Sequence, residues 1–128
     1  MNKKYSKLIK KASPLAKPKK HNEFCTTAYV GCALLTDKGN VYTGVSIDAA
    51  CGIGFCAEHS AIAQMITNKE TKIKAIVAIN ENKKIIPPCG RCRELMYQIN
   101  NKNLNTYIIM EKEILKLKNL LNHRWQES

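Results

Sequence analysis

Aromatic side chains are scarce in this sequence, at 6% of 128 residues with a single tryptophan. A core must therefore be built from Ile, Leu, Val and Ala. No apolar run approaches the ~18 residues that a membrane-spanning helix requires, which excludes that class. The first twenty residues hold no acidic group. They also lack the continuous apolar stretch at the centre of a secretory signal, so a cytoplasmic location is expected. No internal repeat occurs, and the only biased segment is that lysine-rich start.

Acidic residues number 10 against 21 Lys+Arg, a net charge of +11. Eight of the lysines (Lys3, Lys4, Lys7, Lys10, Lys11, Lys17, Lys19 and Lys20) lie within residues 1–20, so the rest of the chain carries only +3. A basic tail can attract nucleic acid or an anionic surface. This one lacks the interleaved aromatics of a base-stacking platform. It reads as a solvated segment, and nucleic acid is not the expected partner. With 45% hydrophobic and 24% charged residues, the length and composition fit one globular domain.

The periodicity predicts a short N-terminal helix through Tyr5, Leu8, Ile9 and Ala12, stopped by Pro14 and Pro18. Residues 17–27 read as a loop. A hairpin is expected over 29–47, turning at Asp37-Lys38-Gly39-Asn40. A helix over 56–68 follows, then a β-branched strand over 73–79. A second helix is expected over 89–99 and a strand over 106–110. A short strand over 113–117 and a helical turn near Leu120 complete the chain. This order predicts helices packed on a mixed sheet. We divide the chain into a basic helix and linker, 1–27, and a main domain, 28–128.

Six cysteines are present: Cys25, Cys32, Cys51, Cys56, Cys89 and Cys92. A chain long enough to bury a core without staples, in a reducing compartment, favours metal or thiol chemistry over disulfides. Cys25 and Cys32 read as small buried hydrophobes. Cys56, Cys89 and Cys92 each stand at the start of an expected helix, where unpaired N–H groups and the dipole favour the thiolate. Cys89 and Cys92, three apart, project to one side of a turn, and Cys56 can complete a three-ligand zinc site. Three protein ligands leave the fourth position for water, the mark of a catalytic site. Glu58, two residues past Cys56, can reach that water without ligating the metal, and can carry its proton to a substrate nitrogen. One alternative remains: Cys51 with the other three would make a closed structural site, which leaves Glu58 without a role. A redox C-x-x-C lacks its usual strand-and-tryptophan context.

The segments Cys56-Ala57-Glu58 and Pro88-Cys89-Gly90-Arg91-Cys92 resemble the zinc signature of the cytidine deaminase superfamily. Val30-Gly31-Cys32-Ala33-Leu34 resembles the family's Val-Gly-Ala-Ala-Leu strand. Cysteine as first ligand resembles the free-nucleoside branch. The resemblance implies a three-layer α/β/α fold, with a mixed sheet of about five strands and helices on both faces. It implies one Zn²⁺ per subunit on Cys56, Cys89 and Cys92, with Glu58 as the catalytic proton shuttle. It also implies hydrolytic conversion of a cytosine-type nucleoside to its uracil form, by zinc hydroxide attack on C4 with loss of ammonia. The Ala57 N–H would hold the pyrimidine carbonyl, or Glu58 would hold ring N3, and the Pro87 carbonyl would accept from the departing amine. A homo-oligomer, by resemblance a tetramer, is the expected assembly. No membrane partner is expected.

Several positions depart from the family pattern. Its ribose-binding Asn and Glu are Ser46 and Asp48 here, both shorter, and its base-packing Phe is Ala28. Cys89-Gly90-Arg91-Cys92-Arg93-Glu94-Leu95 is closer to the blasticidin S deaminase branch, which makes nucleoside antibiotics the rival substrate class. The family's Arg after the catalytic Glu is His59, which either supports a zinc thiolate or serves the surface or a subunit contact. Arg91 and Arg93 read as helix-surface or interface residues. Trp125 either caps the core or, as in related tetramers, reaches a neighbour's pocket.

Overall fold

The structure is a computed structural model and describes residues 3–125. Helix α1 (Ser6–Ala12) is followed by strands β1 (Lys19–Asn22), β2 (Cys25–Thr36) and β3 (Val41–Ala49). Then come α2 (Ala57–Thr67), β4 (Ile73–Asn80), β5 (Ile85–Ile86), α3 (Gly90–Ile99), β6 (Tyr107–Ile109) and β7 (Ile114–Lys116). All seven strands join one sheet, ordered β1-β2-β4-β6-β7, with β3 also paired to β2 and β5 to β4. Only β4 and β6 run parallel.

Side-chain alternation along β2 and β4 feeds two cores. Cys32, Leu34 and Ile76 point to one face and pack with Ala61, Ile62 and Met65 of α2 and Met96 of α3. Ala33, Ala75, Val77 and Ile79 point to the other and pack under Leu8 and Ala12 of α1 and Tyr5 just before it. Helices thus cover both faces, the three-layer arrangement expected. The sheet has seven strands rather than about five, because residues expected as loop pair up. Residues 17–27 contain β1 and the start of β2, with Lys19 opposite Thr27 and Lys20 opposite Thr26. Every residue of β1 is exposed, so no apolar alternation marked it as a strand.

Two features fix where α2 begins. The turn at Ala50–Gly52 returns the chain so that Phe55 pairs with Ile47, each N–H donating to the other's carbonyl at 2.9 Å. The Ser60 hydroxyl donates to the Val45 carbonyl at 2.7 Å, and a Cβ on Gly44 would collide with Ser60. Helix and strand approach closely there because Gly44 has no side chain. No helix among the described residues is long and apolar enough to cross a membrane.

Candidate metal centre and substrate cavity

Cys56 is the residue before α2 and Cys89 the residue before α3, both extended, so each presents its thiol at a helix start. Cys92 lies in the first turn of α3 and is fully buried. The Cys56 and Cys89 sulfurs are 3.4 Å apart, and those of Cys89 and Cys92 3.5 Å. All three lie within 4.8 Å of one another. Zinc–sulfur bonds of about 2.3 Å at tetrahedral angles place sulfurs roughly 3.8 Å apart. The donor set therefore fits one zinc ion. Cys51 is exposed, outside this cluster, in the left-handed backbone region at φ 64°. A closed four-cysteine site is not assembled.

Without a metal the three thiols do not share one preference. Burial, then the Glu58 carboxylate, pushes Cys92 far above the ordinary thiol range. Burial and the neighbouring Cys89 push Cys56 up as well. Burial opposes ionisation of Cys89 too, but hydrogen bonds from the Cys92 N–H and the adjacent thiols outweigh it, and its net direction is down. Of the three, only Cys89 is shifted toward the thiolate. A divalent cation supplies the charge that holds the other two.

Glu58 is buried, in the first turn of α2. Burial raises its pKa, while its own backbone N–H and Cys92 pull the other way. The His59 Nδ1 faces the Cys92 sulfur at 3.3 Å. Burial, then the Arg91 charge, lowers the His59 pKa, which favours the neutral ring; in its Nδ1-protonated tautomer that ring donates to the sulfur.

A cavity of about 540 Å³ opens beside the sulfurs. Every sequence-derived candidate except His59 and the buried Cys92 lines it: Cys56, Ala57, Glu58 and Cys89, with Ser46, Asp48 and Pro87. Ala57 is the first residue of α2, so its N–H belongs to the set with no partner inside the helix. The Ser46 oxygen accepts from the Val30 N–H at 3.0 Å, which leaves the hydroxyl a donor toward the cavity. Asp48 is exposed beside it.

The lining also includes residues that were not among the sequence candidates, Tyr29, Phe55 and Arg91 among them. Alternation along β2 sends Tyr29 to the α1 face, and only an irregularity in the strand brings it here. Arg93, expected at the surface, is half-buried. It donates to the Pro88 carbonyl at 2.8 Å and the Leu120 carbonyl at 3.1 Å. Trp125 is 63% exposed and caps no core.

The profile described as the cytidine and deoxycytidylate deaminase zinc-binding region matches residues 2–108. A cytidine deaminase of Halalkalibacterium halodurans is 32% identical over 80 residues, 62% of this chain and 61% of that one. The chain thus spans less than two thirds of that relative. A cytidine deaminase of Sporosarcina psychrophila is 28% identical over 99 residues, 73% of each chain. The crystal structure of a Mycobacterium leprae cytidine deaminase superposes with a TM-score of 0.79 at 26% identity, over 95% of this chain and 100% of that one. A Mycobacterium tuberculosis cytidine deaminase shares the fold, with a TM-score of 0.81 at 22% identity over 98% of this chain and 100% of that one.

Proposed function

The chain belongs to the cytidine and deoxycytidylate deaminase family, and from that premise we propose that it is a zinc-dependent hydrolase removing the amino group of a cytosine-type nucleoside as ammonia. The observation that carries this reading is the three-sulfur cluster with a buried carboxylate beside it in one cavity. Cys56, Cys89 and Cys92 hold the metal, which when bound makes water nucleophilic at neutral pH. Glu58 would carry the two protons of that water in turn, the first to ring N3 and the second, released as the C4 carbonyl forms, to the leaving amine, so that both end in the products. Its raised pKa suits both directions of transfer, because a carboxyl poised nearer neutrality gives its proton up as readily as it takes one. The Ala57 N–H binds the pyrimidine carbonyl, and the Pro87 carbonyl accepts from the amine. Ser46 donates to the sugar and Asp48 accepts from it. His59 donates to the Cys92 sulfur and lowers the charge the metal must balance.

The finer readings follow from the same site. Cytidine or deoxycytidine is the favoured substrate, which places the enzyme in pyrimidine salvage. The short Ser46 and Asp48 keep a blasticidin S-type nucleoside antibiotic as the second reading. All the named site residues fall within 28–128, the proposed catalytic domain. Exposed Phe24, Ile53, Phe55 and Trp125 support a homo-oligomer, taken as a tetramer. Six free cysteines support a reducing, cytoplasmic setting.

The test is an ultraviolet deamination assay of the zinc-loaded protein against cytidine, deoxycytidine, blasticidin S, cytosine and adenosine. Turnover of at least one cytosine nucleoside is expected. Adenosine turnover alone, or none on any compound, overturns the reading.

A further inference from the structure

Strand β2 carries an irregularity beside the substrate cavity. Thr27 is opposite Ile47 and Gly31 opposite Val45, so residues 28–30 of β2 face Ser46 alone. Ala28, at φ 69°, sits in the left-handed region that a side chain with a Cβ rarely adopts. Strict alternation would place Tyr29 on the side of Ala33 and Leu35, under α1. Gly31 keeps that side, since a Cβ there would press on Ala12 and Leu15. Tyr29 instead lines the substrate cavity and is 39% exposed. The Ser46 oxygen, accepting from the Val30 N–H, closes the irregularity from the opposite strand. Strain at a non-glycine residue persists where the surroundings impose it, and it gathers at ligand sites.

Tyr29 and Phe55 are two of only eight aromatic residues in the chain, and both line this cavity partly exposed. An aromatic wall of this kind binds flat rings by stacking and tolerates variation in their edges.

We propose that the bulge at Ala28–Val30, held by Ser46, serves to carry Tyr29 into the cavity, and that Tyr29 packs against the bound pyrimidine nucleoside as a residue determining its affinity. This deepens the deaminase reading and rests on it. Ser46 then has a second task. Its oxygen accepts from the Val30 N–H within the bulge, while its proton is left to donate to a sugar.

The experiment uses the full-length, zinc-loaded protein. Tyr29→Ala is expected to raise KM for cytidine about ten-fold while kcat changes less than three-fold and zinc content and melting temperature hold. Tyr29→Phe is expected to match the wild type, because packing rather than the hydroxyl matters. Tyr29→Leu, which fills the strand position without a flat ring, covers the case in which the alanine variant fails to fold; it too should raise KM. A KM within two-fold of wild type in whichever of the Ala and Leu variants fold overturns the proposal and leaves the deaminase reading standing. If the wild type turns over no nucleoside, that reading fails, and calorimetric binding of uridine decides Tyr29 by itself. Affinity lost in Tyr29→Ala, or in Tyr29→Leu if the alanine variant does not fold, supports the proposal. Equal affinity, or no binding by either protein, overturns it.

Discussion

In the proposed mechanism Glu58 and His59 act from adjacent positions on α2, one toward the substrate and one toward a sulfur. The His59 contact to Cys92 is the part with a direct readout on metal affinity. Removing a group that supports a ligand typically costs 10–100-fold in metal binding. His59→Ala should therefore weaken zinc retention by about that factor in competition with a chelator, and unchanged retention would refute the contact's role. Ala28 offers a test of the backbone. An L-residue in the left-handed region costs about 1–2 kcal/mol, and glycine relieves it at an entropic cost of about 0.4–1 kcal/mol. Ala28→Gly should leave the melting temperature unchanged or raise it, whereas Ala28→Val should lower it; the reverse order would contradict the strained assignment. At this scale the sequence was informative where chemistry is local. Cys56 with Glu58, and Cys89 with Cys92, are legible because each pair's spacing sets its geometry within one helical turn, whereas the meeting of the two pairs comes from the fold. Tyr29 is not, because the break in alternation that exposes it comes from pairing with a distant strand.

Elements are held to the site by a few polar ties. Arg93 of α3 joins the Pro88 carbonyl, one residue before a metal ligand, to the Leu120 carbonyl near the C-terminus. Hydrogen bonds from a charged donor are worth about 1.5–3 kcal/mol each. Arg93→Met should lower stability by about 2–4 kcal/mol in urea unfolding and speed zinc loss; a change under about 0.5 kcal/mol would show the ties to be incidental. Just past the C-terminal end of α2, Glu70 accepts from the Asn40 amide and the Tyr42 hydroxyl, both at 2.8 Å, and so fastens the β2–β3 turn and β3 to the helix. The Asn40 hydrogen bond leads the effects that hold its pKa below the ordinary glutamate range. A carboxylate with a depressed folded pKa stabilises fully above its unfolded value and loses that contribution as pH falls toward the folded one. Glu70→Gln should therefore melt below the wild type at pH 7, with the gap closing below pH ~4.3. A gap independent of pH would contradict the assignment. The strands and helices with apolar periodicity were readable in advance. Strand β1 was not, since its four exposed residues form a strand only because β2 offers an edge.

The whole molecule is a scaffold that sets two helix starts side by side at one end of a sheet. The lysine-rich N-terminus contributes to that scaffold rather than trailing from it: Tyr5, Leu8, Ala12 and Ala16 are buried, while Lys4, Lys7, Lys10 and Lys11 stay exposed. Deleting residues 1–16 should uncover the second core and yield a protein that aggregates or melts well below the full chain, whereas a truncated protein of unchanged stability would show that α1 is dispensable. The charge of this segment was legible in the sequence, and so was the short amphipathic helix; its place in the core depends on the sheet beneath it. The central claim is that three thiols hold one zinc ion while Glu58 moves the proton. It is tested most directly by the deamination rate of Glu58→Gln, with zinc determined on the same sample. One zinc per chain with a rate lowered about 10³-fold is the predicted result, in line with the 10²–10⁴-fold usual for a positioned proton carrier. A zinc-loaded variant working at close to the wild-type rate would contradict it.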